Sequence, residues 1–208
     1  FNDFLTNYII SKDYKSNIIH DTYCSSSLLK IKNKKKIITI YDLIHEKFNN
    51  YYNYKDIVWN KKKIFDNTDY FICISNKTKE DFLDLYKVPE YKVKVTHLGC
   101  DHMVENSNSD SLLDEDNFKK TYKINKPFIL YVGRRSKYKN FNSLINSYYN
   151  CKKINNNFDI VCFGGEKFSH EEIDNFKKLR IFGNLHYFSG TDSNLRNFYV
   201  NASVMVAT

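Results

Sequence analysis

The sequence is short of the residues that punctuate loops. Its 208 positions hold 6 glycines and 2 prolines, which excludes a collagen-like or Gly/Pro-rich disordered chain. Cysteine is thin as well: Cys24, Cys73, Cys100, Cys151 and Cys162 are odd in number, far apart and without a CxxC pair. Neither a zinc site nor a disulfide framework is suggested. Cys73 and Cys162 fall inside apolar stretches, where a free thiol acts as a small hydrophobe, and the pattern points to a reducing cytoplasm. No run approaches the ~20 apolar residues of a membrane span, and no signal-peptide pattern opens the chain. No RNP-like or helix-turn-helix pattern occurs.

What is present describes a packed protein. Hydrophobic residues make up 42% of the chain, charged residues 27% and aromatics 16%, in keeping with a soluble globular fold. The heavy use of Asn, Lys, Ile and Tyr is spread evenly and reads as a genome-wide habit. A net charge of +8 favours anionic partners: nucleotides, nucleic acid or an acidic membrane face. Much of it sits in runs such as Lys34–Lys36 and Lys61–Lys63, which read as solvated faces. The 17 tyrosines lie largely in strand and helix stripes, where core packing is the default. A nucleic-acid-binding α/β protein is therefore only a minor alternative.

Taken in order, the chain alternates strands and helices with no other internal repeat. Phe1–Ile10 is apolar at helical spacing, and strands are expected over Asn17–His20, Ile37–Tyr41, Asp69–Ile74 and Lys92–Leu98. Helices are expected over Asp56–Phe65 and from Lys77 to Tyr86, the latter capped by Ser75 or Asn76 and stopped by Val88–Pro89. The stretch from Asp101 to Asp116 is rich in Ser, Asn and Asp and is the best linker candidate. A short helix at Asn117–Tyr122 follows, and the alternation restarts. Strands at Phe128–Val132, Phe158–Phe163, Leu185–Phe188 and Ser203–Ala207 enclose helices at Asn140–Tyr149, Ser169–Leu179 and from a cap at Asp192 or Ser193 to Val200. Such alternation argues a parallel sheet. Two incomplete α/β halves follow, read as 1–105 and 127–208 with a linker and short helix over 106–126.

The most informative stretch is Phe128–Lys139, FILYVGRRSKYK. A buried-strand run ends at Gly133, two arginines and two lysines follow within six residues, and a helix begins. Strand, glycine, basic cluster and helix is how an α/β sheet presents an anion site at the carboxyl edge of its strands. An ordinary turn with solvated charges is the competing reading.

With TIYDLIHEKF (Thr39–Phe48), CISNKTKEDFL (Cys73–Leu83), VKVTHLGCD (Val93–Asp101), IVCFGG (Ile160–Gly165) and LHYFSGTDSNLRNFYVNASVMV (Leu185–Val206), this stretch resembles the family-4 retaining glycosyltransferases of GT-B fold. The resemblance implies an α/β protein of two Rossmann-like domains facing across a cleft, the first acceptor-binding and the second nucleotide-sugar-binding. It assigns Gly133, Arg134 and Lys139 to the donor diphosphate and leaves Arg135 undetermined. Gly164 and Gly165 resemble the turn on which the nucleotide lies, and Gly190 and Leu195 match the region near the nucleobase. Tight βα turns are the plain alternative for these glycines.

In the first half, Asp42 at the tip of a buried strand is the candidate catalytic residue. Many relatives have His-Asp here, where this chain has Tyr41, so a group titrating near neutrality is missing. His45 and Glu46 could substitute, although a surface loop is the plainer reading for them. Ser75 matches a cleft-lining serine, and an N-cap explains it equally well.

No DxD motif stands in a suggestive place, so no metal and no cofactor beyond a nucleotide-sugar co-substrate is expected. A glycine-rich loop at the start and a pair of glutamates beyond the last strand, both usual in the family, do not occur in this sequence. The chain begins without methionine and is expected to be a fragment lacking both ends and inactive alone. The resulting expectation is a cytoplasmic hexosyltransferase, mannose being one candidate sugar. It would act on a glycan or lipid-linked acceptor, with room for peripheral contact at the inner membrane face and no nucleic acid partner. A non-catalytic sugar-nucleotide-binding remnant of the same fold is the alternative.

Overall fold

A computed structural model of the chain describes residues 16–48, 55–99, 112–135 and 137–208. The expected helix at Phe1–Ile10 and most of the linker candidate lie outside these residues. The chain divides into two compact units, Phe1–Gly99 and Cys100–Thr208, each holding a four-stranded parallel sheet.

The first unit runs β1 (Ile18–Asp21), β2 (Lys35–Ile40), α1 (Ile44–Lys47), α2 (Lys55–Asp66), β3 (Tyr70–Cys73), α3 (Asn76–Tyr86) and β4 (Val93–Val95). Its strand order is β1-β2-β3-β4. Strands added in one direction by right-handed crossovers place their connections on one face of the sheet. Alternate residues Ile38, Ile40, Phe71 and Cys73 are buried with Ile64, Phe65 and Phe82. Phe65 meets Phe71, Phe82 and Tyr86 edge-on at centroid distances of 5.7, 5.2 and 4.7 Å, the geometry aromatic quadrupoles favour. Ser75 caps α3 by accepting from the Thr78 N–H, and Lys87 in the left-handed region closes it. β4 is shorter than the expected Lys92–Leu98. Its register against β3 ends at Val95–Cys73, and from Thr96 to Gly99 the chain is exposed.

The second unit holds α4 (Glu115–Tyr122), β5 (Phe128–Val132), α5 (Phe141–Asn150), α6 (Lys152–Asn157), β6 (Asp159–Phe163), α7 (His170–Lys178), β7 (Leu185–Phe188), α8 (Asp192–Asn201) and β8 (Val204–Met205). The order β7-β6-β5-β8 means that the chain adds two strands on one side of β5 and then crosses to the other. Helices are therefore needed on both faces, and the burial is two-sided. Ile129, Tyr131, Ile160 and Cys162 pack with Phe141, Ile145 and Phe176. Their strand neighbours Phe128, Leu130, Val161 and Phe163 pack with Phe118 and Phe198. Side chains alternate along a strand, so the continuous run FILYV fills two separate cores.

Phe198, fully buried, stands among Phe118, Tyr122, Phe163 and Phe188, all with centroids within 5.1 Å. The cap of α8 is Thr191, in a capping box with Asn194, and not Asp192 or Ser193 as expected. The side chain of Asn194 reaches back to the Thr191 N–H at 3.0 Å, and that reciprocal bond selects the earlier residue. α6 has no counterpart among the expected helices: KKINNN carries no apolar periodicity and the helix buries no residue.

Candidate functional site

In a doubly wound sheet, ligands bind outside the carboxyl ends of the strands, where the strand order reverses. Here that point is the end of β5, between β6 and β8, and it is occupied by Gly133.

Gly133 leaves the sheet at φ +107°, and its N–H still donates to the Phe163 carbonyl at 2.8 Å. One strand over, the Gly164 N–H donates to the Phe188 carbonyl at 2.9 Å, and Gly164 and Gly165 both take left-handed backbone angles. A Cβ on Gly165 would lie 2.9 Å from the Gly133 carbonyl oxygen and 3.0 Å from the Arg134 Cα. The two strand-end turns therefore touch through backbone alone. Gly165→Ala should destabilise the protein by about 1–3 kcal/mol from backbone strain and this clash, read as a lowered urea midpoint with an unchanged slope. Gly190 has another reason to be small: its Cβ would meet the capping side chain of Asn194 at 2.5 Å. Gly190→Ala should weaken that cap by about 1 kcal/mol, checked by thermal melting.

Two adjacent arginines follow Gly133 and diverge. Arg134 stays in solvent with its side chain 75% exposed, making one loose pair at 3.6 Å with the equally exposed Glu166. Its main-chain carbonyl is held by the Tyr131 hydroxyl at 3.1 Å. Arg135 turns inward, its side chain only 5% exposed. Its Nε donates to Glu172 Oε1 at 2.8 Å, and its Nη2 to the carbonyls of Glu166 at 2.7 Å and Lys167 at 3.1 Å. The guanidinium lies 4.8 Å from the Phe168 ring centroid, with Phe141 and Tyr187 at 5.8 and 5.9 Å. Burial opposes the Glu172 carboxylate, but hydrogen bonds from Arg135 and the Ser169 N–H outweigh it and hold its pKa below the ordinary value. Glu172, in the first turn of α7 and in a capping box with Ser169, is in addition the partner of a buried arginine.

Lys139 ends a 3-10 turn (Lys137–Lys139) before α5 and is exposed. Its carbonyl accepts from the Thr208 hydroxyl, so the chain leaving β8 passes beside this turn. Asn140 enters α5 in the left-handed region and makes no side-chain cap. Leu195 packs against the Phe198 cluster. Gly133, Arg134, Gly164 and Gly165 are thus brought together, and Gly190 lies beyond the neighbouring strand on the same sheet edge.

In the first unit, Asp42 is exposed, with Oδ1 accepting from the Ile44 N–H at 3.1 Å. With Tyr41, His45 and Lys61 it lines a pocket of about 930 Å³ at the carboxyl end of β2. Glu46 departs from the surface-loop reading. Its side chain is 1% exposed, with Oε1 accepting from Lys61 Nζ and the Tyr86 hydroxyl, both at 2.8 Å. Helical periodicity in α1 turns Glu46 inward and leaves His45 on the pocket. Ser75 is the α3 cap.

Burial pushes the Cys73 thiol up to about 11 and the Cys162 thiol up to about 12. Both belong to the core. Among the described residues, no group of three or more His, Cys, Asp or Glu side chains is arranged to hold a metal ion, and no helix is long and apolar enough to cross a membrane.

The family described as Glycosyl transferases group 1 matches residues 114–208. No curated protein sequence matches the chain. Among solved structures, a glycosyltransferase from Rickettsia africae ESF-5 is similar over 99% of this chain and 54% of its own, with a TM-score of 0.66 and 21% identity. WaaG, a glycosyltransferase involved in lipopolysaccharide biosynthesis, is similar over 99% of this chain and 70% of its own, with a TM-score of 0.61 and 12% identity. An S. aureus TarM mutant in complex with fondaparinux, alpha-GlcNAc-glycerol and UDP is similar over 99% of this chain and 40% of its own, with a TM-score of 0.67 and 14% identity. The chain spans about half the length of the first of these. At such identities the likeness is one of fold: α/β, with the two Rossmann-like parallel sheets of the GT-B class.

Proposed function

We propose that this chain carries the nucleotide-sugar half and part of the acceptor half of a family-4, retaining hexosyltransferase that works without a metal ion. The observation that carries the reading is the pair of touching glycine turns at the switch point of the second sheet, with Arg134 left free in solvent beside them. A diphosphate needs close backbone approach and fixed positive charge. The turns supply the first, and Arg134 and Lys139 the second. As the glycosidic bond breaks, negative charge grows on the leaving diphosphate, and charge-assisted hydrogen bonds to it strengthen.

The acceptor would be a glycan or a lipid-linked sugar, with Asp42 on the pocket of the first unit as the catalytic carboxylate. TarM and the pneumococcal O-GlcNAc transferase GtfA were solved with UDP, which supports a nucleotide-diphosphate donor. The net charge of +8 suits peripheral contact with an anionic inner membrane face.

The test is turnover by the intact protein with radiolabelled UDP- and GDP-hexoses and lipid-linked or glycan acceptors. Label transfer with retained anomeric configuration is expected. Transfer with inversion, or none with any donor, would contradict the reading.

Asp42→Asn separates the catalytic from the structural role. An asparagine Oδ1 still accepts from the Ile44 N–H, so the melting temperature should move by less than about 2 °C, while kcat falls at least about tenfold. A melting temperature that falls in step with activity would make Asp42 a turn residue.

A further inference from the structure

The inward arginine is not explained by packing alone, because an apolar side chain would fill the space between Phe141, Phe168 and Tyr187 without needing a carboxylate. What Arg135 does that no apolar residue can is hold main-chain carbonyls. It takes those of Glu166 and Lys167, while the Tyr187 hydroxyl donates to that of Gly165 at 2.8 Å. Three successive carbonyls of the loop between β6 and α7 are thereby drawn inward.

In a planar trans peptide the N–H lies opposite the carbonyl of the preceding residue. The N–H groups of Glu166, Lys167 and Phe168 are thus turned away from the core, and among the described residues none accepts a bond from them. They follow two glycines in the left-handed region. Successive N–H groups presented from such a bend form an anion-binding concavity. Glu172 completes the brace: Oε1 binds Arg135 and Oε2 accepts from the Ser169 N–H at 2.8 Å, which ties the far end of the loop to α7.

We propose that Arg135 and Glu172 are positioning residues that hold the loop after Gly164–Gly165 with its N–H groups toward the donor diphosphate. Arg134 contacts the anion, and its neighbour arranges the backbone that receives it. This inference rests on the donor-site reading above.

The experiment is calorimetry on the intact protein with ADP, GDP and UDP, then with the monophosphate of whichever diphosphate binds tightest. Arg135→Lys keeps the charge but loses the planar fork that spans two carbonyls and a carboxylate. Glu172→Gln keeps the shape and loses the charge. In each variant the diphosphate Kd should rise at least about tenfold while the monophosphate Kd changes less than about twofold.

A loss of general integrity would weaken both nucleotides together, and that result would overturn the inference, as would unchanged affinity for both. If Arg135→Lys does not fold, Glu172→Gln gives the same two constants. Absence of diphosphate binding in the unaltered protein would instead remove the donor-site reading and this inference with it.

Discussion

Replacing Arg134 by alanine in the intact protein should lower kcat/KM about 30- to 1000-fold, equivalent to about 2–4 kcal/mol of transition-state stabilisation, by analogy with removal of one oxyanion donor. The same change should leave folding nearly untouched. Arg134 is three-quarters exposed, and its one ion pair, to Glu166, is loose and equally exposed. Such pairs contribute about 0–1 kcal/mol. A guanidinium free in solvent and fixed at its base by the Tyr131 hydroxyl on its own carbonyl has little structural work and is available to a ligand. Most of the loss should fall on kcat, because the charge on the leaving diphosphate grows in the transition state. Purification of both forms and assay at matched ionic strength checks it. A loss in KM alone would make Arg134 a contact for ground-state binding.

The neighbouring Arg135 should behave in the opposite way. Arg135→Ala is expected to destabilise the second unit by about 3 kcal/mol, toward the lower end of what removing one partner of a buried pair costs. Glu172 keeps a quarter of its side chain in water, which softens the penalty of leaving it unpaired. The loss includes the stacking on Phe168 and the bonds to two carbonyls. Chemical denaturation of both variants gives the comparison directly.

The pH dependence follows from Glu172. Its folded pKa is held below the ordinary 4.5, so the pair's contribution is fully present above that value. It is lost as pH falls through the folded pKa. Wild type and Glu172→Gln should therefore differ in stability at neutral pH and converge only once the pH has fallen through the depressed folded pKa of Glu172.

The contrast between these two residues marks how far the sequence alone could be read. Phe128–Val132 was legible to the residue, because a five-residue apolar run between Pro127 and Gly133 fits a buried strand. The strand–helix alternation and the glycines at the strand ends followed from the same patterning. Beyond Gly133 the chain turns, and alternation no longer says which arginine faces water. Arg135's partner lies 37 residues away, and nothing local announces it. Glu172 was recognisable as a capping residue three positions after Ser169. Its second role depends on β5 and β6 being neighbours. Glu46 was obscured in the same manner, since its burial depends on Lys61 and Tyr86 from two later helices. α6 and Thr191 were missed for local reasons: one lacks periodicity, and the other competes with two equally good caps beside it.

The donor site is tested most directly by calorimetric titration of the intact protein with a nucleoside diphosphate and its monophosphate, with and without EDTA. Diphosphate binding at least about tenfold tighter than monophosphate binding, and unchanged by the chelator, is the expected result. Equal affinity for the two nucleotides, or binding that disappears with EDTA, would contradict a metal-free diphosphate site at the end of β5.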